Sequence, residues 1–234
     1  MERSKQAVLD NLENVRRRLA AACERASREQ GSVRLVAVGK TVEPQALRWV
    51  RAAGVEDLGE NYVRELRAKR EEVPGATWHF IGTLQSHTAH RVADLADVVE
   101  TVVPGRAMAR LARRASERGR TLPALVEVDL IGGRVGVTPE DLQEAANQVA
   151  RTAGLALAGF MTLPPLPASP EDSRPHFRHL RQLLDEVAER HPEAVELSMG
   201  MSLDYEVAIE EGATMVRIGT ALFGPRPPAG AGRM

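Results

Sequence analysis

The chain has 234 residues, 43% of them hydrophobic and 27% charged, proportions of an ordinary globular protein that exclude a disordered, collagenous or fibrous chain. Lys and Arg number 31 against 32 for Asp and Glu, a formal net charge of -1, so no global positive field exists to hold a nucleic acid. A lone cysteine, Cys23, fits a reducing compartment, the opening Met-Glu-Arg-Ser-Lys is too charged for a secretory signal, and the charge-free stretch 153–170 is too broken by glycine and proline to span a membrane; a soluble, cytoplasmic protein is expected.

Residues 4–30 carry Val8, Leu12, Val15, Leu19 and Ala22 at helical spacing, with Arg16, Arg17, Glu24 and Arg25 on other faces. They predict an amphipathic helix stopped by Gly31 and Ser32. From Arg34 the pattern becomes a regular beat. Short β-forming runs at 34–39, 55–58, 77–81, 97–101, 124–130, 155–160, 194–198 and 215–218 alternate with helical stretches at 44–53, 61–72, 84–94, 105–118, 139–152, 170–190 and 203–210. Eight strands, each but the last followed by a clear helix, at roughly 25 residues per unit, suit an α/β fold of the (β/α)8 TIM barrel type with an extra N-terminal helix in 1–31. The alternative is an open doubly wound sheet. That architecture usually has a glycine-rich turn after its first strand, whereas here Gly39 is followed by Lys40 and Thr41 with no G-x-G-x-x-G. No internal stretch has the composition of a linker, so a single domain over 1–234 is expected. The proline-rich 163–170 reads as a loop and 225–234 as a flexible tail.

In such a barrel, chemistry gathers where strands end at the C-terminal mouth. The first strand delivers Lys40 there. It reads either as a snorkelling lysine covering apolar surface or as a Schiff-base lysine, whose amine is mostly protonated at pH 7 unless its setting is dry or cationic. The second strand runs into Asn61, a candidate helix cap or a ligand-facing amide. The third contributes His79, which shares a face with Ile81 while Trp78 and Phe80 take the other; it reads as a satisfied core histidine or as a site residue. The last strand places Arg217 and Gly219 on one face, and an inward arginine needs an acceptor. Two donor-rich turns, Ser198-Met199-Gly200-Met201-Ser202 and Gly219-Thr220-Ala221, follow strands seven and eight, where barrels commonly cradle phosphate. A lysine on strand one, an arginine and this cup describe a site for pyridoxal 5′-phosphate (PLP).

The blocks LVAVGK around Lys40, LGENYVRE around Asn61, WHFIGTLQ around His79 and LSMGMSLDYEVAIEEGATMVRIGTALFG from Leu197 to Gly224 resemble the pyridoxal phosphate homeostasis protein family, single-domain relatives of the alanine racemase N-terminal barrel. The resemblance implies that Lys40 carries PLP as an internal aldimine, that Ser202, Gly219 and Thr220 bind its phosphate, and that Met199, Gly200 and Met201 shape the adjacent loop. It implies further that Arg217 faces the pyridine nitrogen and Asn61 lies near the ring, with His79 kept as a cofactor contact. The implied function is carriage of PLP in vitamin B6 homeostasis without an established reaction, in a monomer whose partners are PLP and PLP-dependent apo-enzymes, not nucleic acid or membrane. The chain departs from the family pattern at Gly39, where serine is usual, at Ser86 and His87, where Asn-Lys is usual, and at Arg134, which replaces a lysine.

Two other functions remain open on the residues. One is a low-activity PLP-dependent amino-acid racemase or lyase, although neither Tyr62 nor Tyr205, both early in predicted helices, is an obvious second base. The other is a Schiff-base aldolase acting on a phosphorylated sugar, in which Arg217 lacks a role. The pairs His87/His90 and His176/His179 lack a third ligand at matching spacing, so no metal is expected. The arginines of 106–120 read as a solvated helix face.

Overall fold

The computed structural model describes residues 4–225. Its strands are β1 (Arg34–Val38), β2 (Asp57–Glu60), β3 (Thr77–Phe80), β4 (Val98–Val102), β5 (Leu122–Val128), β6 (Leu155–Thr162), β7 (Glu196–Ser198) and β8 (Met215–Ile218). They pair in parallel and in sequence order, and β8 returns to β1, closing the barrel. The helices are α1 (Lys5–Arg25), α2 (Pro44–Ala52), α3 (Val63–Glu72), α4 (Ala89–Leu95), α5 (Arg106–Glu117), α6 (Leu142–Arg151), α7 (Arg174–Ala188), α8 (Tyr205–Glu210) and α9 (Thr220–Phe223). The fold is the expected (β/α)8 barrel with an additional N-terminal helix. The expected tail falls on residues 226–234, outside the described residues, apart from Pro225.

Strand alternation sorts the side chains into two environments. Outward residues such as Ala37, Leu58, Trp78, Phe80, Val126, Phe160, Val216 and Ile218 form one continuous apolar layer with the helices. Inside the barrel, Val36, Val98, Leu125, Met161 and Met215 make a separate small cluster. Around it lie the buried polar side chains of His79, Glu100, Ser198 and Arg217. The apolar stripe Val8, Leu12, Val15, Leu19, Ala22 and Cys23 of α1 is buried. This helix packs on α2, α8 and α9, tied by Asn11 Nδ2 to the Leu222 carbonyl at 3.0 Å and by Arg25 Nε to Glu210 at 2.7 Å.

Three of the differences from the sequence expectation have a plain local cause. Helix α1 stops at Arg25 because Ser27 takes a left-handed φ of 54°, and the amides of Ser27 and Arg28 turn back to the carbonyls of Glu24 and Cys23. Strand β2 covers 57–60 instead of 55–58, since the Val55 amide still closes the end of α2 on Val50. The eighth strand is followed by α9, a single turn too short to leave a periodic signal.

Candidate functional site

A cavity of about 330 Å³ opens at the C-terminal mouth. Val38 and Lys40 enter it from the end of β1, Asn61 from β2, Ile81 from β3, Met161 and Leu163 from β6, the 201–204 loop from β7, and Arg217, Gly219 and Thr220 from β8. The period-2 alternation explains this convergence: 36, 38 and 40, 57, 59 and 61, and 215, 217 and 219 share the inward face of their strands. Of the sequence-predicted residues, Lys40, Asn61, Met201, Ser202, Arg217, Gly219 and Thr220 meet around this one space. His79, Met199 and Gly200 are not in its wall.

Arg217 is buried, with its Nη1 donating to Ser198 Oγ at 2.5 Å and its Nη2 to the Thr162 carbonyl at 2.8 Å. Glu100 lies 3.8 Å from the guanidinium. Burial lowers the arginine's pKa from its ordinary value, and Glu100, Asp204 and Glu127 oppose that shift by their charge. The inward arginine expected from the sequence thus has its acceptors.

Asn61 does not cap α3. Tyr62 occupies that position without a side-chain capping bond, and Asn61 Oδ1 is buried with no hydrogen-bond partner. An orphaned buried acceptor costs about 1–3 kcal/mol, so this amide is spare capacity aimed at the cavity.

The β7 turn is built by Asp204, which the sequence reading passed over. Its carboxylate accepts from the Met201 amide at 2.7 Å and from Ser173 Oγ at 2.7 Å. Gly200 has a φ of +89°, and a Cβ there would lie 2.5 Å from Ala208 Cβ. Its carbonyl accepts from the Arg217 amide at 3.0 Å. Met199, fully buried, bonds its amide to the Met215 carbonyl. These two residues therefore set the path of the loop from behind, while Met201 and Ser202 present its surface. Ser202 does not cap α8; its hydroxyl accepts from the Ala221 amide at 3.1 Å, which joins the turns after β7 and β8.

His79 sits inside the barrel between two carboxylates, with Nε2 2.8 Å from Asp57 and Nδ1 2.7 Å from Glu100. Burial alone lowers its pKa, but the bonds and charges of Asp57 and Glu100 outweigh burial and raise it to about 9. Both ring nitrogens are committed, so the core alternative describes this histidine. Glu100 in turn accepts from Ser198 Oγ at 2.5 Å. Burial pushes the Glu100 carboxyl up, yet His79, Arg217 and Ser198 together hold it below the usual range. A chain Asp57–His79–Glu100–Ser198–Arg217 thus runs through the barrel to the cavity wall. The signal for Glu100 was present: a lone carboxylate inside the β-forming run Val98-Val99-Glu100-Thr101-Val102.

Among the departing positions, the exposed Arg134 donates to the Leu163 carbonyl at 2.8 Å, bracing the β6 loop. The Ser86 carbonyl accepts from Arg110. Arg114 and Arg118 pair with Asp94 and Arg120 donates to the Ala93 and Ala96 carbonyls, so much of the basic 106–120 face is tied to α4 and the chain that follows it. A second cavity of about 430 Å³ lies at the opposite end of the barrel, lined by Arg16, Gln30, Leu35 and Asp57 among others. It is larger, but strand N-termini are not where barrel sites form. No helix among the described residues is long and apolar enough to cross a membrane.

Residues 10–227 match the alanine racemase N-terminal domain family. The chain is 38% identical over 222 residues to the pyridoxal phosphate homeostasis protein of Aquifex aeolicus, covering 93% of this chain and 97% of the relative. It is 36% identical over 229 residues to that of Escherichia coli K12, covering 94% and 97%. Its fold matches PipY of Synechococcus elongatus PCC7942, solved with PLP bound, at a TM-score of 0.79 and 35% identity over 90% of this chain and 100% of that one. Alanine racemase from Corynebacterium glutamicum shares the fold alone, at 16% identity and a TM-score of 0.70 over 99% of this chain and 64% of that enzyme.

Proposed function

This chain belongs to the pyridoxal phosphate homeostasis protein family, within the wider alanine racemase N-terminal domain family, and from that premise we propose that it holds PLP in the mouth cavity as a carrier. The observation that carries this reading is Arg217, a buried guanidinium fixed by Ser198 and Thr162 on the wall it shares with Lys40. The chain's residues fit the cofactor. An amine at Lys40, an orphaned amide oxygen at Asn61 and a hydroxyl- and amide-bearing cup at Ser202, Gly219 and Thr220 surround one space. When bound, PLP supplies an aldehyde for an amine and an electron-accepting aromatic ring.

Lys40 is the amine that holds the aldehyde. Ser202, Gly219 and Thr220 receive the phosphate, with Met199, Gly200 and Met201 fixing the loop beside them. Asn61 would serve the ring, and Arg217 would face the pyridine nitrogen. A guanidinium stays protonated at all ordinary pH, so it donates to that nitrogen and does not give it a proton. With a guanidinium in place of a carboxylate at that nitrogen, Arg217 would leave a bound ring a weaker electron sink. His79 acts from behind, through Glu100.

Racemisation needs proton-transfer groups on both faces of a substrate. Tyr62 is exposed at the head of α3, and Tyr205 is buried under Arg18, whose guanidinium is 5.3 Å from its ring centroid. Neither lines the cavity, and burial raises the Tyr205 phenol to about 12. Both carboxylate oxygens of Asp204 are engaged, one by the Met201 amide and the other by Ser173 Oγ. A carrier is favoured over a racemase or lyase on these grounds. It works as a cytoplasmic monomer whose recipients are PLP-dependent apo-enzymes. Purified protein is expected to be yellow and to leave single enantiomers of alanine or serine optically pure on prolonged incubation. Catalytic loss of optical purity, or release of a carbonyl product, would defeat the carrier assignment.

A further inference from the structure

Behind Lys40, on the outer side of the barrel, lies an ion cluster, buried at Glu60 and Lys69, whose side chains stay outside the cavity wall. Lys69 of α3 is 5% exposed, and its ammonium donates to the Gly39 carbonyl at 2.7 Å, to Glu60 Oε1 at 2.5 Å and to Glu65 Oε2 at 2.6 Å. All three of its protons are thereby used. The same Glu65 oxygen accepts the Thr41 amide at 2.9 Å. Thr41 holds a φ of 60°, a left-handed conformation uncommon for a threonine. The residue before Lys40 is therefore gripped by its carbonyl and the residue after it by its amide.

We propose that Glu60, Lys69 and Glu65 are positioning residues that clamp the turn carrying Lys40, so that its amine meets the cofactor aldehyde in one fixed geometry. This rests on the assignment of PLP to the mouth cavity. None of the three lines that cavity, so they act through backbone: Lys69 and Glu65 on either side of Lys40, and Glu60 by holding Lys69 and by accepting the Asn61 amide at 3.1 Å. Stability does not account for them. The surrounding layer between strands and helices is apolar, with Leu47, Leu58 and Leu66 fully buried nearby in the chain, and apolar residues commonly replace a buried ion group without loss of stability. What an apolar replacement does not provide is an acceptor for the Thr41 amide and a second donor for the Gly39 carbonyl, which also accepts from the Val42 amide. Burial raises the Glu60 carboxyl, and Lys69 opposes that rise by charge and hydrogen bond, so the cluster is held together by the lysine at its centre.

The test compares wild type with Lys69→Met, Glu65→Ala and Glu65→Gln, each mixed with PLP. Covalent capture is followed by the imine absorbance and total binding by equilibrium dialysis. Total binding should change little, because the phosphate cup is untouched. The rate of covalent capture should fall roughly tenfold or more in Lys69→Met and Glu65→Ala, as expected for a misplaced reacting group. Glu65→Gln, which keeps an acceptor for Thr41, should recover most of it. Glu65 is partly exposed, so the Ala/Gln pair decides the matter even where Lys69→Met fails to fold. Equal capture rates in wild type and Glu65→Ala, or equal losses in the Ala and Gln variants, would overturn the clamp while leaving PLP binding intact. Failure of wild type to take up PLP would instead strike the assignment on which the clamp rests.

Discussion

Glu127 is a carboxylate whose surroundings disfavour its charge. It is buried on β5, and burial raises its pKa to about 7; Arg217 and Arg134 pull the other way, while Asp129 adds to the rise. A folded-state pKa above the unfolded value means a stability contribution that is full below about 4.5 and is lost as the pH rises through about 7. Glu127→Gln should therefore raise stability at pH 8, by about 3 kcal/mol at most, and change it little at pH 4. Urea denaturation at the two pH values measures this, and a variant less stable than wild type at pH 8 would show that Arg217 depends on the Glu127 charge. His79 has the same sign in a different window. Its contribution is full below about 6.5 and disappears as the pH climbs through about 9.

At the scale of elements, the turn after β7 has the least freedom. Gly200 is left-handed, and besides the Ala208 contact a Cβ there would stand 2.9 Å from Tyr205 Cα. Gly200→Ala should cost 2 kcal/mol or more, roughly the sum of left-handed strain and overpacking. It should also weaken phosphate binding, because the turn and α8 must separate; inorganic phosphate protection in a thermal melt checks both effects. Elements of this kind set the limit of what the sequence disclosed. The eight-beat alternation and the inward Arg217 were legible because β-strand period and charge placement are local signals. The end of α1 at Arg25 was not, since a serine at position 27 does the work usually given to glycine. Asp204 and Lys69 were hidden for another reason. Each sits on a predicted helix as an ordinary polar residue, and only tertiary packing brings Asp204 to Met201 and Ser173, or Lys69 to Gly39. For Asn61 the sequence leaves a cap and a ligand-facing amide both open, because its spacing before a helix permits a cap; the helix begins one residue later than a cap at 61 requires.

At the scale of the whole molecule, the barrel interior is divided. A small apolar cluster fills part of it, and a polar chain from Asp57 to Arg217 runs alongside, with alternating charge at Asp57, His79, Glu100 and Arg217. Such a chain favours one position for the guanidinium, because each buried charge is satisfied only by its neighbours. At the mouth, the Arg217 guanidinium is thus held from below on the wall it shares with Lys40. The most direct measurement is borohydride reduction of the PLP-loaded protein, followed by peptide mass mapping. A single reduced pyridoxyl adduct is expected on the peptide containing Lys40, absent in Lys40→Ala although that variant still retains PLP by dialysis. Reduction that labels another lysine, or none, would contradict that expectation.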